Sequence, residues 1–168
     1  MKERILVAGA GGFIGHHMAR FLKKKGYWVR GVDIKYPEFS ASTEMDEFYP
    51  LDLRELHNCL IATQGIDKVY QFAADMGGMN FIMNNKSLVM RDSALINLNM
   101  VEACKINKVK RVFYSSSACV YPEHIQLYTK VTPLKESYAY PANPDTEYGW
   151  EKLFSERLYK TYEFDHGL

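Results

Sequence analysis

Two residues in the last quarter of the chain have the types and spacing needed for proton transfer. Tyr148 and Lys152 are spaced i, i+4, so they share one face of a predicted helix. A free phenol has a pKa of about 10, too high for a base at neutral pH, and a neighbouring ammonium group would lower it. An ordinary surface pair is the alternative. We favour the catalytic interpretation because the pair follows a predicted strand that ends in Ser115, Ser116 and Ser117.

A glycine-rich turn near the N-terminus predicts a dinucleotide-binding site. Gly9 permits a tight bend, Gly12 lets the backbone approach a pyrophosphate, and Gly15 lets helix and strand pack closely. The turn follows a predicted strand and opens a helix that begins with Phe13 and Ile14, whose end would present backbone amides to phosphates. A glycine pattern alone is a weak signal, and its place between strand and helix is what favours nucleotide binding.

An acidic residue at the end of the next predicted strand indicates which dinucleotide binds. Asp33 lies at about the 20-residue distance expected for a partner of a ribose hydroxyl. A carboxylate there accepts hydrogen bonds from a free 2′-hydroxyl and repels a 2′-phosphate, so the predicted cofactor is NAD and not NADP. We interpret the nearby Lys35 as a solvated loop residue and not as a phosphate contact.

Strand and helix patterns alternate along the chain. Strands are predicted at residues 4–8, 28–33, 47–49, 68–72 and 111–115, and helices at 13–25, 56–63, 87–106 and 147–162. Right-handed crossovers place helices on both faces of such a sheet, so the predicted fold class is α/β, a Rossmann-like doubly wound parallel sheet. Loops are predicted at 73–78 and 121–144, and residues 165–168 resemble the approach to a further strand.

Composition narrows the function classes. The 168 residues are 47% hydrophobic and 24% charged, which suits one soluble domain, and the formal net charge of +1 offers no field to attract nucleic acid or an anionic membrane. No apolar run approaches the roughly 18–20 residues of a membrane span, and no signal-peptide pattern is present, so we expect a cytoplasmic protein. The three cysteines form no CxxC, and we predict neither a disulfide framework nor a metal site.

These motifs resemble the extended short-chain dehydrogenases/reductases, the NAD-dependent epimerase/dehydratase family that includes nucleotide-sugar epimerases and dehydratases. The GxxGxxG turn and the tyrosine and lysine pair carry the resemblance, which spans nearly the whole chain. It implies that Asp52, before Leu53, approaches the adenine and that Ala73 and Ala74 line the cofactor. It also implies that residues 1–168 are an NAD-binding domain, with a smaller substrate-binding domain missing from this sequence.

The resemblance also implies an active site. Ser117, Tyr148 and Lys152 take the places of the family's serine, tyrosine and lysine, and Asn97 lies where the family often has a structural or relay polar residue. A homodimer joined through helices 87–106 and 147–162 is implied as well.

Two stretches, residues 73–79 and 116–122, are similar to the family of GDP-mannose 3,5-epimerases. Cys119 stands where related enzymes commonly have serine or threonine. The similarity implies that NAD oxidises C4 of the sugar, that the ketone acidifies the protons at C3 and C5, and that Cys119 exchanges one of them. The expected substrate is GDP-mannose or a related nucleotide sugar, and the implied substrate-binding residues are Gly77, Gly78, Ser117, Ala118 and Cys119.

Alternatives remain open at this point. Cys119 could be a small buried hydrophobe, and Gly77 and Gly78 could form a plain turn. The chain could come from another NAD-dependent nucleotide-sugar enzyme, a 4-epimerase or a dehydratase. It could also be a noncatalytic NAD-binding module or an inactive fragment, because none of its residues can be assigned as the second acid/base.

Overall fold

A computed structural model describes residues 2–38, 44–127 and 133–168. Within these ranges the chain forms a sheet of five parallel strands in the order β3-β2-β1-β4-β5. The strands are β1 (Arg4–Ala8), β2 (Trp28–Asp33), β3 (Glu47–Pro50), β4 (Lys68–Gln71) and β5 (Arg111–Tyr114). The predicted α/β class with a doubly wound parallel sheet is confirmed.

Five α-helices are found in the described ranges: α1 (Phe13–Lys24), α2 (Leu56–Thr63), α3 (Met79–Asn84), α4 (Lys86–Ile106) and α5 (Glu147–His166). None of them is long and apolar enough to cross a membrane. Short 3₁₀ helices occur at Ala118–Val120, Glu123–Ile125 and Glu136–Ala139, inside and just before the predicted loop 121–144.

Two helices differ from the sequence-based predictions. α3 was not predicted, because its short apolar segment follows a glycine pair and lacks a side-chain cap. α5 was predicted to end at residue 162, but it continues through His166 and ends at Gly167, whose φ of 70° gives the left-handed C-terminal cap that glycine favours. That residues 165–168 approach a further strand stays a prediction.

β1 is buried on both faces of the sheet, as expected for a central parallel strand. Ile5 and Val7 pack with Leu22 of α1 on one side. Leu6 and Ala8 pack on the other side, in a cluster with residues of α2 and α4 that include Cys59, Met100 and Cys104. The alternation fixes the register of β1, because a shift by one residue would exchange its two faces.

The order of the strands creates the cleft. The chain moves from β1 to β2 and β3 on one side, and then returns to place β4 and β5 on the other side of β1. The connections that leave β1 and β4 therefore diverge, and ligands bind at such a point, beyond the carboxyl ends of the strands.

Two glycines allow the turn after β1 to close tightly. Gly9 has a φ of +82°, and a Cβ on it would lie 2.8 Å from the backbone nitrogen of Ala73. A Cβ on Gly15, in the first turn of α1, would overlap the carbonyl oxygen of Gly9. Both obstructions are backbone atoms, so they cannot move aside as the end of a flexible side chain can.

We predict that Gly15→Ala destabilises the protein by about 1–3 kcal/mol, because overpacking against fixed backbone forces α1 away from β1. The free energy of unfolding in urea measures this change. Gly78→Ala is the matched control: a Cβ there meets nothing within 4 Å, so a change of less than about 0.5 kcal/mol is expected. Equal losses in the two variants would contradict the close-approach role of Gly15.

Candidate active site

The glycine turn has one open side. A Cβ on Gly12 would meet only the carbonyl oxygen of Gly9, at 3.4 Å, so protein atoms do not crowd that position. Gly12 also caps α1 without a side-chain hydrogen bond, and the first amides of a helix have no acceptors within the helix. An anion such as a pyrophosphate can therefore approach this backbone closely.

Asp33, at the end of β2, lies against the glycine turn. Its Oδ2 accepts a hydrogen bond of 2.9 Å from the backbone amide of Gly11, and its Oδ1 accepts one of 3.1 Å from the amide of Lys35. A Cβ on Gly11 would lie 2.9 Å from Cγ of Asp33. Gly11 is a residue that the sequence analysis missed, although it belongs to the same glycine run.

Lys35 fits its predicted role as a solvated loop residue. Its ammonium group is 2.6 Å from the Glu38 carboxylate, and its side chain is 53% exposed. The hydrogen bond and the charge of Glu38 raise the pKa of Lys35. The lysine is therefore charged and already paired with an acid outside the turn.

One cleft of about 500 Å³ joins the predicted cofactor residues. It is formed by the segments that follow β1, β2, β3, β4 and β5, together with the start of α5. The predicted residues that line it are Gly9, Gly12, Phe13, Ile14, Gly15, Asp33, Asp52, Leu53, Ala73, Ala74, Tyr148 and Lys152. A larger hollow of about 830 Å³ lies along β5 and α5, and it contains none of the predicted site residues.

α5 carries Tyr148 and Lys152 into this cleft. The helix begins after Thr146, whose hydroxyl oxygen accepts a hydrogen bond from the amide of Gly149. Both side chains are buried, with 8% of Tyr148 and 5% of Lys152 exposed. Lys152 Nζ donates a hydrogen bond of 2.9 Å to the carbonyl oxygen of Ser115 and lies 5.7 Å from the centre of the Tyr148 ring.

Burial controls the protonation of this pair. Desolvation raises the pKa of Tyr148, opposed by a hydrogen bond with Ser117 and reinforced by the nearby charges of Cys119 and Glu151. Desolvation lowers the pKa of Lys152, although Glu151 and other acids oppose the shift. The pKa of Tyr148 is therefore raised and not lowered as predicted, because desolvation is the largest influence on the phenol.

The turn after β5 places Ser117 and Cys119 beside Tyr148. The hydroxyl oxygen of Ser117 accepts a hydrogen bond of 3.2 Å from the amide of Cys119. Cys119 also packs in the apolar cluster that includes Tyr148. A Cβ on Gly149 would collide with the Cys119 carbonyl oxygen, so α5 approaches this turn only because position 149 lacks a side chain.

The three cysteines differ in their surroundings. Cys59 and Cys104 are fully buried, and desolvation raises the pKa of both thiols. Cys119 is partly exposed in the middle of the 3₁₀ helix Ala118–Val120. Of the three, Cys119 is therefore the thiol that a ligand can reach.

The glycine pair before α3 has two different environments. A Cβ on Gly77 would lie 2.6 Å from the side chain of Phe81, whereas one on Gly78 would meet nothing within 4 Å. Neither glycine lines the cofactor cleft, although the preceding Asp75 and Met76 do. Contact of Gly77, Gly78, Ser117, Ala118 and Cys119 with substrate stays a prediction.

A charge cluster at one end of the cleft was not predicted. Arg54 donates to both carboxylate oxygens of Asp52, at 3.0 and 2.6 Å, and to Oδ2 of Asp92 at 2.6 Å. The hydrogen bonds from Arg54 lower the pKa of Asp52 despite partial burial. Asp92 was missed because an acid within a helix usually faces solvent, yet only 1% of it is exposed. Asp92 is joined to Asp52 only through Arg54, so spacing alone could not reveal the cluster.

The geometry fits a dinucleotide. The open side of Gly12 suits a pyrophosphate, the Asp33 carboxylate suits a ribose hydroxyl, and the buried phenol and ammonium lie in the same cleft. Among the described residues, no group of three or more His, Cys, Asp or Glu side chains is placed to hold a metal ion.

Comparisons with known proteins agree with this arrangement. The chain is 49% identical to GDP-mannose 3,5-epimerase of Arabidopsis thaliana over 98% of its length, and 51% identical to GDP-mannose 3,5-epimerase 1 of Oryza sativa subsp. japonica over 99%. In both cases it spans 44% of the relative, so the chain is about half as long as the curated proteins that it matches.

Solved structures share the fold. The crystal structure of UDP-glucose 4-epimerase from Thermotoga maritima with UDP-glucose superposes with a TM-score of 0.82 at 23% identity, covering 98% of this chain and 52% of that one. The structure of UDP-glucose 4-epimerase from Brucella ovis in complex with NAD gives a TM-score of 0.82 at 24% identity, covering 99% of this chain and 49% of that one.

The NAD dependent epimerase/dehydratase family model matches residues 5–168. Its span includes the glycine turn, Asp33 and the Tyr148 and Lys152 pair, so the chain belongs to the NAD dependent epimerase/dehydratase family and its cofactor is NAD.

Proposed function

We propose that the gene product is a GDP-mannose 3,5-epimerase and that this segment supplies its NAD site and part of its acid/base machinery. The observation that carries the proposal is the 49–51% identity to plant GDP-mannose 3,5-epimerases across almost the entire segment. Identity falls to 27% for GDP-L-fucose synthase of Escherichia coli, which is also a GDP-sugar enzyme by name. The difference favours the epimerase over other activities in the family.

The chemical difficulty lies in the acidity of the sugar. A proton on an unactivated ring carbon is far too weakly acidic for any side chain to remove, whereas a ketone at C4 acidifies the protons at both C3 and C5. NAD, when bound, supplies the reversible oxidation that creates this ketone and later removes it. The side chains of the chain must therefore move the hydroxyl proton at C4 and the carbon-bound protons beside it.

Tyr148 is the candidate for the hydroxyl proton. Its phenolate would accept that proton during oxidation, and its phenol would return it during reduction. Ser117 supports this exchange through its hydrogen bond with the phenol, and Lys152 supplies a positive charge 5.7 Å from the ring. Burial raises the pKa of Tyr148, so its base form becomes more abundant, and the oxidation faster, as the pH rises.

Cys119 is the candidate for one carbon-bound proton. It follows the turn of Ser117, packs in the same cluster as Tyr148, and is partly exposed. A thiol can exchange a proton on one face of the sugar ring. Inversion at a carbon also needs a group on the opposite face, which we assign to another part of the gene product.

The homodimer and the cytoplasmic location stay predictions. For the dimer, supporting observations are that α4 and α5 pack on each other and that both carry partly exposed apolar side chains. These are Met90, Leu95, Leu98, Trp150 and Phe154.

Replacing Tyr148 by Phe should lower kcat of the complete gene product on GDP-mannose by about 10²–10⁴-fold, because the group that moves the hydroxyl proton is lost. NAD affinity, measured by calorimetry, should change little, since the ring and its packing remain. Full turnover in Tyr148→Phe would exclude the catalytic role and would favour a noncatalytic NAD-binding module.

Replacing Cys119 by Ala should slow the exchange of solvent deuterium into one of the two positions, C3 or C5, by about 10²-fold or more. Mass spectrometry and NMR of GDP-mannose recovered from heavy water measure the exchange at each carbon. Wild-type exchange at both carbons in the variant would contradict the role of Cys119. If the unmodified protein oxidises and reduces C4 of the sugar but incorporates no deuterium at C3 or C5, it would instead be a 4-epimerase or a dehydratase.

Replacing Asp33 by Asn should reduce the preference for NAD over NADP by roughly tenfold, about 1.4 kcal/mol, because the repulsion of a 2′-phosphate is removed. The ratio of the two dissociation constants measures this preference. Lys35→Ala is the control, since that ammonium group is paired with Glu38 and its loss should leave the ratio unchanged. An unchanged ratio in Asp33→Asn would place the ribose elsewhere.

A further inference from the structure

A buried carboxyl group lies directly behind the catalytic face of α5. Glu151 is 1% exposed, although it is next to Lys152 in the chain. Its Oε1 accepts hydrogen bonds of 3.0 Å from Nδ2 of Asn97 on α4 and of 2.6 Å from Oγ of Ser155 on α5. Its Oε2 is also buried and accepts no hydrogen bond from the described part of the chain.

The hydrogen bonds of Glu151 extend across the core to the opposite wall of the cleft. Oδ1 of Asn97 accepts a hydrogen bond of 3.1 Å from Nε2 of Gln71 on β4. Gln71 in turn contacts the backbone of Ala73, where its Oε1 accepts from the amide at 3.2 Å and its Nε2 donates to the carbonyl oxygen at 3.3 Å. A continuous set of hydrogen bonds thus joins α5 to a residue that lines the NAD cleft.

The charge of Glu151 needs a partner. A carboxylate with an unsatisfied oxygen in a dry interior is costly unless a positive charge lies close to it. Lys152 is the next residue in the chain and only 5% of it is exposed, and its ammonium group bonds to the Ser115 carbonyl oxygen and not directly to the Glu151 carboxylate. Two consecutive residues of α5 therefore carry buried groups of opposite charge that act on each other without a direct ion pair.

Several titratable groups surround Lys152. Burial lowers its pKa, and the charges that oppose this are Glu151 first and Glu156 second. Glu156 is less buried and hydrogen-bonds to the Ser116 hydroxyl. The titratable groups that act on or lie against Lys152 are Tyr148, Glu151 and Glu156 on α5 and Tyr114 on β5, and the carboxyl groups of Asp75 and Asp92 line the same cleft.

We propose that Glu151 is a positioning residue of the NAD site, whose buried carboxylate keeps Lys152 in its ammonium form while its hydrogen bonds through Asn97 and Gln71 hold the Ala73 wall. The inference requires NAD binding alone and applies whichever nucleotide sugar the protein uses. The role of Glu151 can therefore hold even if the protein is not a GDP-mannose epimerase, and the epimerase activity can hold even if Glu151 has no such role.

Glu151→Gln isolates the charge. The amide oxygen can still accept from Asn97 and Ser155, so the variant removes the negative charge while keeping both hydrogen bonds. NMR of the complete gene product labelled at lysine Cε follows the titration of Lys152, whose signal is assigned by its loss in Lys152→Arg. We expect the Lys152 pKa to move down by about one unit in Glu151→Gln, and by less in the matched variant Glu156→Gln.

NAD affinity gives the functional readout. The ammonium form persists below the Lys152 pKa and is lost as the pH rises through it, so Glu151→Gln should lose NAD affinity at a lower pH than wild type. At a pH between the Lys152 pKa values of Glu151→Gln and wild type, the expected loss of NAD affinity is up to about tenfold. In a Lys152→Arg background, where the cation cannot deprotonate, Glu151→Gln should leave the pH dependence of NAD binding unchanged.

Two results would overturn the proposal. One is a loss of NAD affinity in Glu151→Gln that is equal at every pH and is also equal in the Lys152→Arg background. This result would make Glu151 a structural residue only. The other comes from Ser155→Ala, which removes one hydrogen bond and keeps the charge. Ser155→Ala should lower the midpoint of urea unfolding and leave the Lys152 pKa unchanged. A shifted Lys152 pKa in this variant would show that packing and not charge controls Lys152. This test remains available if Glu151→Gln does not fold.

Discussion

The contact of backbone with backbone at the glycine turn is the constraint on which the site depends. Gly9 lies against the backbone of Ala73, and Gly15 lies against the carbonyl of Gly9. β1, α1 and the segment after β4 therefore meet without side chains between them. This contact aims the start of α1 into the cleft and sets the width of the cleft at the point where the strand order reverses. Rigid strands and helices therefore hold the polar residues that line the cleft.

Much of this arrangement could be predicted from the sequence, because it is encoded in local spacing. Gly9, Gly12 and Gly15 mark where the backbone must lack a side chain, and Asp33 marks the end of the next strand. Parallel strands then bring these residues together at one edge of the sheet, as the cleft shows. The position of Tyr148 and Lys152 after β5 places them at the same edge for the same reason.

What the sequence did not reveal depends on contacts between distant segments. Asp92 and Glu151 look like surface acids of helices, and only their packing against Arg54 and Asn97 shows otherwise. The lowered phenol pKa was expected from a charged neighbour, but the sign depends on how much solvent Tyr148 loses, and no spacing rule supplies that quantity. α5 continues beyond the predicted end at residue 162, because the left-handed cap that ends it lies at Gly167.

Burial acts on the proposed catalytic pair, Tyr148 and Lys152, in a way that requires further charges. It favours the neutral phenol of Tyr148 and the neutral amine of Lys152, whereas base catalysis by the phenolate needs an ammonium nearby. Glu151 has two opposing effects: its own charge raises the pKa of Tyr148, but it also favours the Lys152 cation, which stabilises a phenolate. The proposed positioning role depends on the second effect, and the hydrogen bonds from Asn97 and Ser155 hold the bonded oxygen of Glu151 in place. The proposed proton transfer in a dry site therefore requires an acid such as Glu151 that favours the cationic form of Lys152.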